Sequence, residues 1–204
     1  MVNSLQALVV DKDEAQLGLW GQPASGKTHL LNACARFARD HGVSLQLYDA
    51  TQLVACAVEE FDGFGQCEVL AVDNLDAISG NAAWESSFYQ IINRCRQGEY
   101  RFVYSLSRKV EDLGIQLEDL RSRLQWGLML QLPDTSESDL RNIVQQRARL
   151  LGIELTPEVL SYLLTHHSRN LASQMAILQT LDGASLSEKR KITIPLIKQA
   201  MACQ

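Results

Sequence analysis

The chain lacks the features that mark a membrane protein or a secreted one. It has no signal peptide and no apolar run long enough to cross a bilayer. Its five cysteines include no C-x-x-C pair, and four of them lie in apolar stretches: Cys34, Cys56, Cys67 and Cys95, with Cys203 near the end. This pattern excludes a zinc ribbon and a disulfide framework, and it predicts reduced thiols in a cytoplasmic protein.

Basic residues are too few for a surface that mainly neutralises nucleic-acid phosphates. The 19 lysines and arginines are outnumbered by 24 aspartates and glutamates, which gives a net charge of −5. Histidines are also scarce, and the adjacent pair His166 and His167 falls on different helical faces, which favours solvated or half-buried helix residues over metal ligands. With 46% apolar residues, the 204-residue chain is long enough for one large domain, or one domain with a small appendage.

A phosphate-binding loop of the form G-x-x-x-x-G-K-[ST] is the most informative motif. It consists of Gly21, Gln22, Pro23, Ala24, Ser25, Gly26, Lys27 and Thr28. An apolar strand over 16–20 precedes it, and helical spacing of apolar residues follows from His29, which is the context the motif requires. The loop would cradle the phosphates of ADP or ATP, with Lys27 on the β- and γ-phosphates and Thr28 on Mg²⁺. The alternative is a glycine-rich turn that binds nothing.

Strands and helices alternate along the first two thirds of the chain. Strands are predicted at 16–20, 43–48, 69–72, 101–106 and 128–132, with helices over 1–10, 50–60 and 81–97 and a glycine-bearing turn at 62–65. A phosphate loop at the first crossover of such an alternation predicts a parallel α/β sheet. After Pro133 every segment is predicted to be helical. We therefore expect a nucleotide-binding α/β core over 1–132 and a small helical lid domain over 133–204.

Asp73 follows the buried strand 69–72 and would emerge beside the phosphate loop at the carboxyl end of the sheet. That is the Walker B position, where an aspartate helps to hold magnesium, although an aspartate can also simply cap a strand. The next residue is Asn74, where a hydrolytic enzyme of this class has a carboxylate that polarises water. Because an amide is a poor base, Asn74 predicts weak or no intrinsic ATPase activity.

Two further segments contain candidate contacts to a γ-phosphate. At the end of the strand 101–106 lie Ser105 and, one residue beyond it, Ser107, and either hydroxyl would reach a phosphate or water, although serines often end strands. Arg121 and Arg123 lie on an otherwise apolar turn before the last strand. An arginine there would project into a neighbouring subunit's nucleotide and stabilise charge on the transferred phosphate. The alternative for the two arginines is solvation or a surface ion pair.

These segments together resemble the AAA+ ATPase domain of the bacterial replication initiator DnaA, and within the DnaA-like family the regulatory branch called Hda. The resemblance covers nearly the whole chain, in order, through residues 19–31, 72–75, 120–127, 146–152 and 191–195. Its most specific parts are the S-R-L-x-W-G segment at 122–127 and the Asp73-Asn74 pair. The phosphate loop alone would not distinguish one AAA+ family from another.

The resemblance implies a regulator of chromosome replication initiation. In that branch the regulator sits on the DNA polymerase sliding clamp and promotes hydrolysis of the ATP bound to DnaA. Arg123 matches the arginine finger and would act in trans on DnaA, while the phosphate loop would hold ADP or ATP as a structural ligand. The implied partners are DnaA and the clamp, and a homo-oligomer also fits. The initiator's helix-turn-helix domain has no counterpart here, which predicts no sequence-specific DNA binding.

Three departures from the family pattern bear on these expectations. The family's clamp-binding motif does not precede Met1, so that the chain starts inside the family's first helix and its N-terminus is expected to be incomplete. The sensor-2 arginine of the lid falls on Ala172, with Arg169 one turn earlier as the nearby substitute. The acidic sensor-1 position falls on Ser107.

Two other functions fit the same motifs. The first is a self-oligomerising AAA+ ATPase that acts as a helicase loader, which Asn74 and Ala172 disfavour. The second is a nucleotide-gated adaptor on DNA or a membrane, which the acidic balance disfavours. Robust steady-state turnover that is abolished by Lys27→Ala would support the loader.

Overall fold

The computed structural model describes residues 1–11, 14–58, 67–134, 136–167, 171–188 and 192–202. The chain divides into two compact units, Met1–Asp134 and Thr135–Gln204. The first unit is built on a parallel sheet, and the described part of the second unit is helical. The predicted fold class, an α/β core followed by a helical lid, is therefore confirmed.

The sheet of the first unit has five parallel strands. They are β1 (Gln16–Trp20), β2 (Leu45–Asp49), β3 (Val69–Asp73), β4 (Arg101–Leu106) and β5 (Leu128–Gln131), in the spatial order β2-β3-β4-β1-β5. Every residue of β3 and β4 is buried, as expected for central parallel strands that are covered on both faces. Because all five strands run the same way, their carboxyl ends meet at one edge of the sheet, where β1, β3 and β4 end side by side.

Helices cover both faces of this sheet. They are α1 (Val2–Val10), α2 (Lys27–Asp40), α3 (Ala50–Leu53), α4 (Ala82–Arg96) and α5 (Glu118–Leu124). Side chains alternate between the faces of β3, so that Val69 and Ala71 pack with α1 and α2, whereas Leu70 and Val72 pack with α3, α4 and α5. The apolar cluster that includes Leu70 and Val72 also contains the large buried aromatic side chains Trp84, Phe88, Phe102 and Tyr104.

The second unit consists of α6 (Glu137–Leu150), α7 (Pro157–His166), α8 (Leu171–Glu188) and α9 (Ile194–Ala202) around one apolar cluster. Ser136 caps α6 by accepting a hydrogen bond from Asp139 N–H at 3.1 Å, and Thr156 caps α7 ahead of a proline at its first turn. In the described parts of the chain, none of the helices has the length and apolar character needed to span a bilayer.

Two elements differ from the sequence prediction. The helix expected over 50–60 ends at Leu53, because the next N–H groups, those of Ala55 and Cys56, form i→i+3 bonds in place of the helical ladder. The segment expected to be a turn before the last strand is the seven-residue helix α5. The turn predicted at 62–65 lies outside the described residues, as does Cys203.

Candidate functional site

The loop between β1 and α2 has a backbone suited to binding an anion. Ala24 and Gly26 adopt left-handed conformations with φ of 64° and 97°, and Gly26 is the N-cap of α2. A left-handed conformation costs an alanine about 1–2 kcal/mol, so its presence in this loop indicates a constrained backbone. Loops of this kind point successive N–H groups into one concavity. Gln22, Pro23 and His29 are exposed around it.

Lys27 is the first residue of α2 and is held over the loop. Its Nζ donates hydrogen bonds to Gly21 O at 2.7 Å, Gln22 O at 2.9 Å and Ser25 Oγ at 3.4 Å. Only 7% of the residue is exposed. Burial lowers the pKa of the ammonium group, and the carboxylates of Asp73 and Asp76 act in the opposite direction. The loop therefore contains a cation that is partly removed from water and faces two carboxylates.

Asp73 ends β3 and connects the sheet to the phosphate loop. Its Oδ2 accepts a hydrogen bond from Thr28 Oγ1 at 2.5 Å. Its Oδ1 accepts hydrogen bonds from Ser105 Oγ and, at 3.1 Å, from Asn74 N–H. The hydroxyl of Thr28 and the carboxylate of Asp73 are the hard oxygen donors that Mg²⁺ takes in small number beside substrate phosphates, so this pair fits the ion. Among the described residues no group of three or more His, Cys, Asp or Glu side chains is placed to hold a metal by itself.

Asn74 occupies a position where backbone geometry favours asparagine. Its φ is 54°, and it is the N-cap of the 3₁₀ helix Leu75–Ile78. Its N–H also donates to Ser105 Oγ at 2.9 Å, and its side-chain Nδ2 donates to Asp49 Oδ1 at 3.2 Å. Asparagine adopts the left-handed region more readily than most residues. Position 74 therefore joins the ends of β2, β3 and β4.

The two candidate serines have different partners. Ser105 is fully buried, and its hydroxyl donates a hydrogen bond to Asp73 and accepts one from Asn74 N–H. Ser107 is half-buried and donates to Asp76 through its Oγ at 2.7 Å and its N–H at 3.2 Å. Two further carboxylates at this site, Asp49 and Asp76, belong to no motif of the sequence. The available signal was their position, because Asp49 directly follows a predicted strand and Asp76 lies three residues after Asp73.

Helix α5 distinguishes its two arginines. The Arg121 guanidinium donates to Glu118 Oε1 at 3.2 Å within the helix. The Arg123 guanidinium makes no hydrogen bond or ion pair with any residue that the structure describes, although its backbone carbonyl accepts a hydrogen bond from Gln16 Nε2 at 3.0 Å. Tyr104 Oη similarly donates to Leu124 O at 2.5 Å. The helix end is thus attached to the sheet, while the Arg123 side chain has no polar partner in the described ranges.

The tryptophan and the glycine of the S-R-L-x-W-G segment follow α5, and each has a structural role. Trp126 is 66% exposed, and the guanidinium of Arg96 stacks 3.7 Å from the centre of its ring. At Gly127, a Cβ atom would lie 2.7 Å from Gln16 O, so a side chain there would push the segment away from β1. Glycine therefore permits the close approach that places α5 on the sheet.

The two candidate sensor-2 positions of the lid, Ala172 and Arg169, are not placed at this site by the described structure. Ala172 is part of α8, and Arg169 lies outside the described residues. The residues that the structure brings together at one site are therefore those of the first unit: the phosphate loop, Asp73, Asn74, Ser105 and Ser107.

Two protein-family models match the chain, one after the other. The model described as the bacterial DnaA ATPase domain matches residues 7–131, which is more than half of the chain. The model described as the Hda lid domain matches residues 137–201.

Solved structures share the fold. Domain III of the replication initiation protein DnaA from Thermotoga maritima has a TM-score of 0.84 at 16% identity, covering 98% of this chain and 89% of that one. AMPPCP-bound DnaA from Aquifex aeolicus has a TM-score of 0.72 at 20% identity, with coverage of 88% and 59%. A single-residue variant of RuvB from Thermotoga maritima has a TM-score of 0.70 at 18% identity, with coverage of 99% and 66%. The chain thus spans about three fifths of the AMPPCP-bound DnaA chain.

Proposed function

We propose that this chain, which belongs to the bacterial DnaA ATPase domain family, stimulates hydrolysis of the ATP bound to DnaA in concert with the DNA polymerase sliding clamp. It would thereby act as a negative regulator of replication initiation. The observation that carries the proposal is the guanidinium of Arg123, which is unpaired within the part of the chain that the structure describes. It lies on a helix whose end is attached to the sheet, beside an Arg121 that Glu118 already holds.

The phosphate loop supports binding of an adenine nucleotide. The left-handed residues at 24 and 26 shape the loop, Lys27 provides a cation, and Thr28 and Asp73 provide oxygens for Mg²⁺. A nucleotide bound here adds stability by mass action, about 2.7 kcal/mol at 100 times its dissociation constant. We propose that ADP or ATP acts as a structural ligand of this chain.

The surroundings of Asn74 support a weak intrinsic ATPase. Its amide is hydrogen-bonded to Asp49, and neither its conformation nor its chemistry provides a base for an attacking water. The described geometry at position 74 is that of a residue that joins strand ends. We therefore propose that this chain binds a nucleotide of its own, hydrolyses it slowly or not at all, and acts on the nucleotide of a partner.

Arg123 would act on the partner's nucleotide. Arginine fingers that are supplied in trans stabilise charge on the transferred phosphoryl group and raise hydrolysis rates by about 10³–10⁵. They need a guanidinium that is unpaired before the partner binds and a backbone that holds it in place. Within the described residues Arg123 meets both conditions, and Arg121 does not meet the first.

The proposal is tested by single-turnover hydrolysis of ATP bound to DnaA, with clamp loaded on DNA and with the family's clamp-binding segment placed ahead of Met1. We expect Arg123→Ala to remove the stimulation, a loss of about 10³ or more, and Arg123→Lys to restore little, since lysine lacks the planar fork. Arg121→Ala is the matched control and should change the rate by less than about threefold, because an exposed ion pair contributes little.

Unchanged stimulation by Arg123→Ala would contradict the proposal. Multiple turnovers by this chain alone, lost in Lys27→Ala, would instead favour the self-oligomerising ATPase.

A further inference from the structure

Glu85 is a buried carboxylate of the first unit that lies outside the phosphate loop. It belongs to the first turn of α4 and is 1% exposed. Its Oε1 accepts hydrogen bonds from Gly80 N–H at 2.8 Å and Gln116 N–H at 3.1 Å. Its Oε2 accepts from Gln116 N–H at 3.0 Å and Leu117 N–H at 2.8 Å. A buried carboxylate is retained only when such bonds satisfy it, so Glu85 holds three backbone N–H groups together.

The three N–H groups belong to two segments that are distant in sequence. Gly80 lies two residues after the 3₁₀ helix Leu75–Ile78, which itself follows Asp73 and Asn74 at the end of β3. Leu117 is the N-cap of α5, and its apolar side chain makes no capping hydrogen bond. Glu85 therefore accepts a hydrogen bond from the N–H of the N-cap residue of α5, as the glutamate of a capping box does in other helices, but from a distant part of the chain.

The other end of α5 is also held from outside the helix. Gln16 and Tyr104 donate hydrogen bonds to the carbonyl oxygens of Arg123 and Leu124, at 3.0 Å and 2.5 Å respectively. A helix of seven residues is too short to be stable by itself. Its position is consequently set by tertiary contacts, which are these hydrogen bonds and the packing of the buried Leu120 and Leu124, and the bonds of Glu85 connect its start to Gly80.

We propose that Glu85 is a positioning residue that holds the helix of Arg123 against the segment following Asp73, so that the placement of Arg123 depends on the occupancy of the chain's own nucleotide site. This inference rests on the proposed role of Arg123 in trans. Glu85 itself touches neither nucleotide. It acts because a shift of the loop after β3 moves Gly80, and Glu85 transmits that shift to Gln116 and Leu117.

The first experiment measures hydrogen exchange and needs no partner. It compares the wild type, Glu85→Gln and the control Glu99→Gln, which removes an exposed carboxylate that pairs with Arg94. Glutamine replaces one acceptor oxygen by a donor that would face an N–H group, so we expect exchange over 116–125 to accelerate at least about tenfold, with 27–40 unchanged. Added ADP should slow exchange over 116–125 in the wild type and in Glu99→Gln, and not in Glu85→Gln.

The second experiment measures stimulated hydrolysis at increasing concentrations of the chain. We expect Glu85→Gln to lower the maximal rate at least about tenfold, while the concentration for half-maximal stimulation changes by less than about threefold, because the interface is retained and the arginine is misplaced. In the Arg123→Ala background, Glu85→Gln should have no further effect. Loss of fold alone would instead raise the half-maximal concentration and accelerate exchange throughout.

The results separate this inference from the proposed function. If Arg123→Ala retains stimulation, the proposed function fails, and the inference fails with it. If Arg123→Ala abolishes stimulation while Glu85→Gln keeps the maximal rate or the ADP-dependent exchange of the wild type, only the inference on Glu85 is overturned.

Discussion

Ser107 gives both its hydroxyl and its backbone N–H to Asp76, at 2.7 Å and 3.2 Å. Ser105, two residues earlier in the chain, gives its hydroxyl to Asp73. Asp73 is also bonded to Thr28, and both carboxylates act on the ammonium group of Lys27, Asp73 more strongly than Asp76. The two serines are therefore attached to different carboxylates near the phosphate loop, Ser105 to the one that is bonded to Thr28 and Ser107 to a second one that faces Lys27.

The two serines should consequently affect nucleotide binding in different ways. We expect Ser105→Ala to weaken nucleotide binding about tenfold in the presence of Mg²⁺ and little in its absence, because Asp73 loses an orienting hydrogen bond. Ser107→Ala should leave the magnesium dependence intact and change the ratio of ATP to ADP affinity severalfold. Titration calorimetry with and without Mg²⁺ measures both effects, and identical profiles for the two variants would contradict the assignment.

Nucleotide affinity should decrease at high pH because of Lys27. Burial lowers the pKa of Lys27 from the ordinary lysine value of 10.5, while Asp73 and Asp76 raise it. Because the protonated ammonium binds phosphate, affinity is complete below the lowered pKa and declines as pH rises through it. The decline should therefore begin at a lower pH than it would for a solvent-exposed lysine, and affinity measured from about pH 7 to about pH 10 would reveal it.

The control for this prediction is Lys27→Arg. An arginine remains charged over the whole range, so its affinity, although weaker, should not follow the same pH dependence. A parallel decline in both proteins would show that another group is responsible.

Asn74 should contribute to stability through its backbone as well as its side chain. Asn74→Ala loses the bond to Asp49 and places an alanine at a φ of 54°, which together should lower the free energy of unfolding by about 2 kcal/mol. Asn74→Gly loses the same bond without the strain at positive φ, and we expect it to be less destabilising by about 1 kcal/mol. Urea denaturation distinguishes the two, and equal losses would rule out the backbone contribution.

Arg101 should be the arginine on which stability of the first unit depends most. It is 6% exposed and donates to Leu8 O and Val9 O at 2.7 Å and 2.5 Å, at the end of α1. Arg101→Ala leaves these carbonyl groups unpaired and should lower the free energy of unfolding by about 3 kcal/mol. Arg94→Ala is the control, since Arg94 pairs with Glu99 on the surface and should change stability by less than about 1 kcal/mol. Similar losses for both variants would contradict the role of Arg101.

Most of the first unit could be predicted from local patterns. The boundaries of β1 and β4 agree with the prediction, and those of α4 agree within one residue at each end. Each of these three elements has enough apolar residues, in a run or at helical spacing, for its own segment of sequence to indicate whether it is a strand or a helix. Helix α5 does not, because its seven residues have only two buried side chains, Leu120 and Leu124. Its conformation depends on Glu85, Gln16 and Tyr104, and no local pattern reports such contacts.

The sequence by itself determined the phosphate loop, the parallel α/β core, the helical lid and the family. These depend on the spacing of residues within short motifs, on the periodicity of apolar residues and on the order of segments along the chain, all of which the sequence itself shows. Only the tertiary structure decided that Ser105 donates to Asp73 and Ser107 to Asp76. It also decided that Arg121 is paired with Glu118, while the Arg123 guanidinium has no polar partner among the described residues. It also decided that Glu85 holds the start of α5, across 31 and 32 residues of chain. The physical reason is that hydrogen bonds between distant residues depend on strand register and helix packing, which local sequence does not encode.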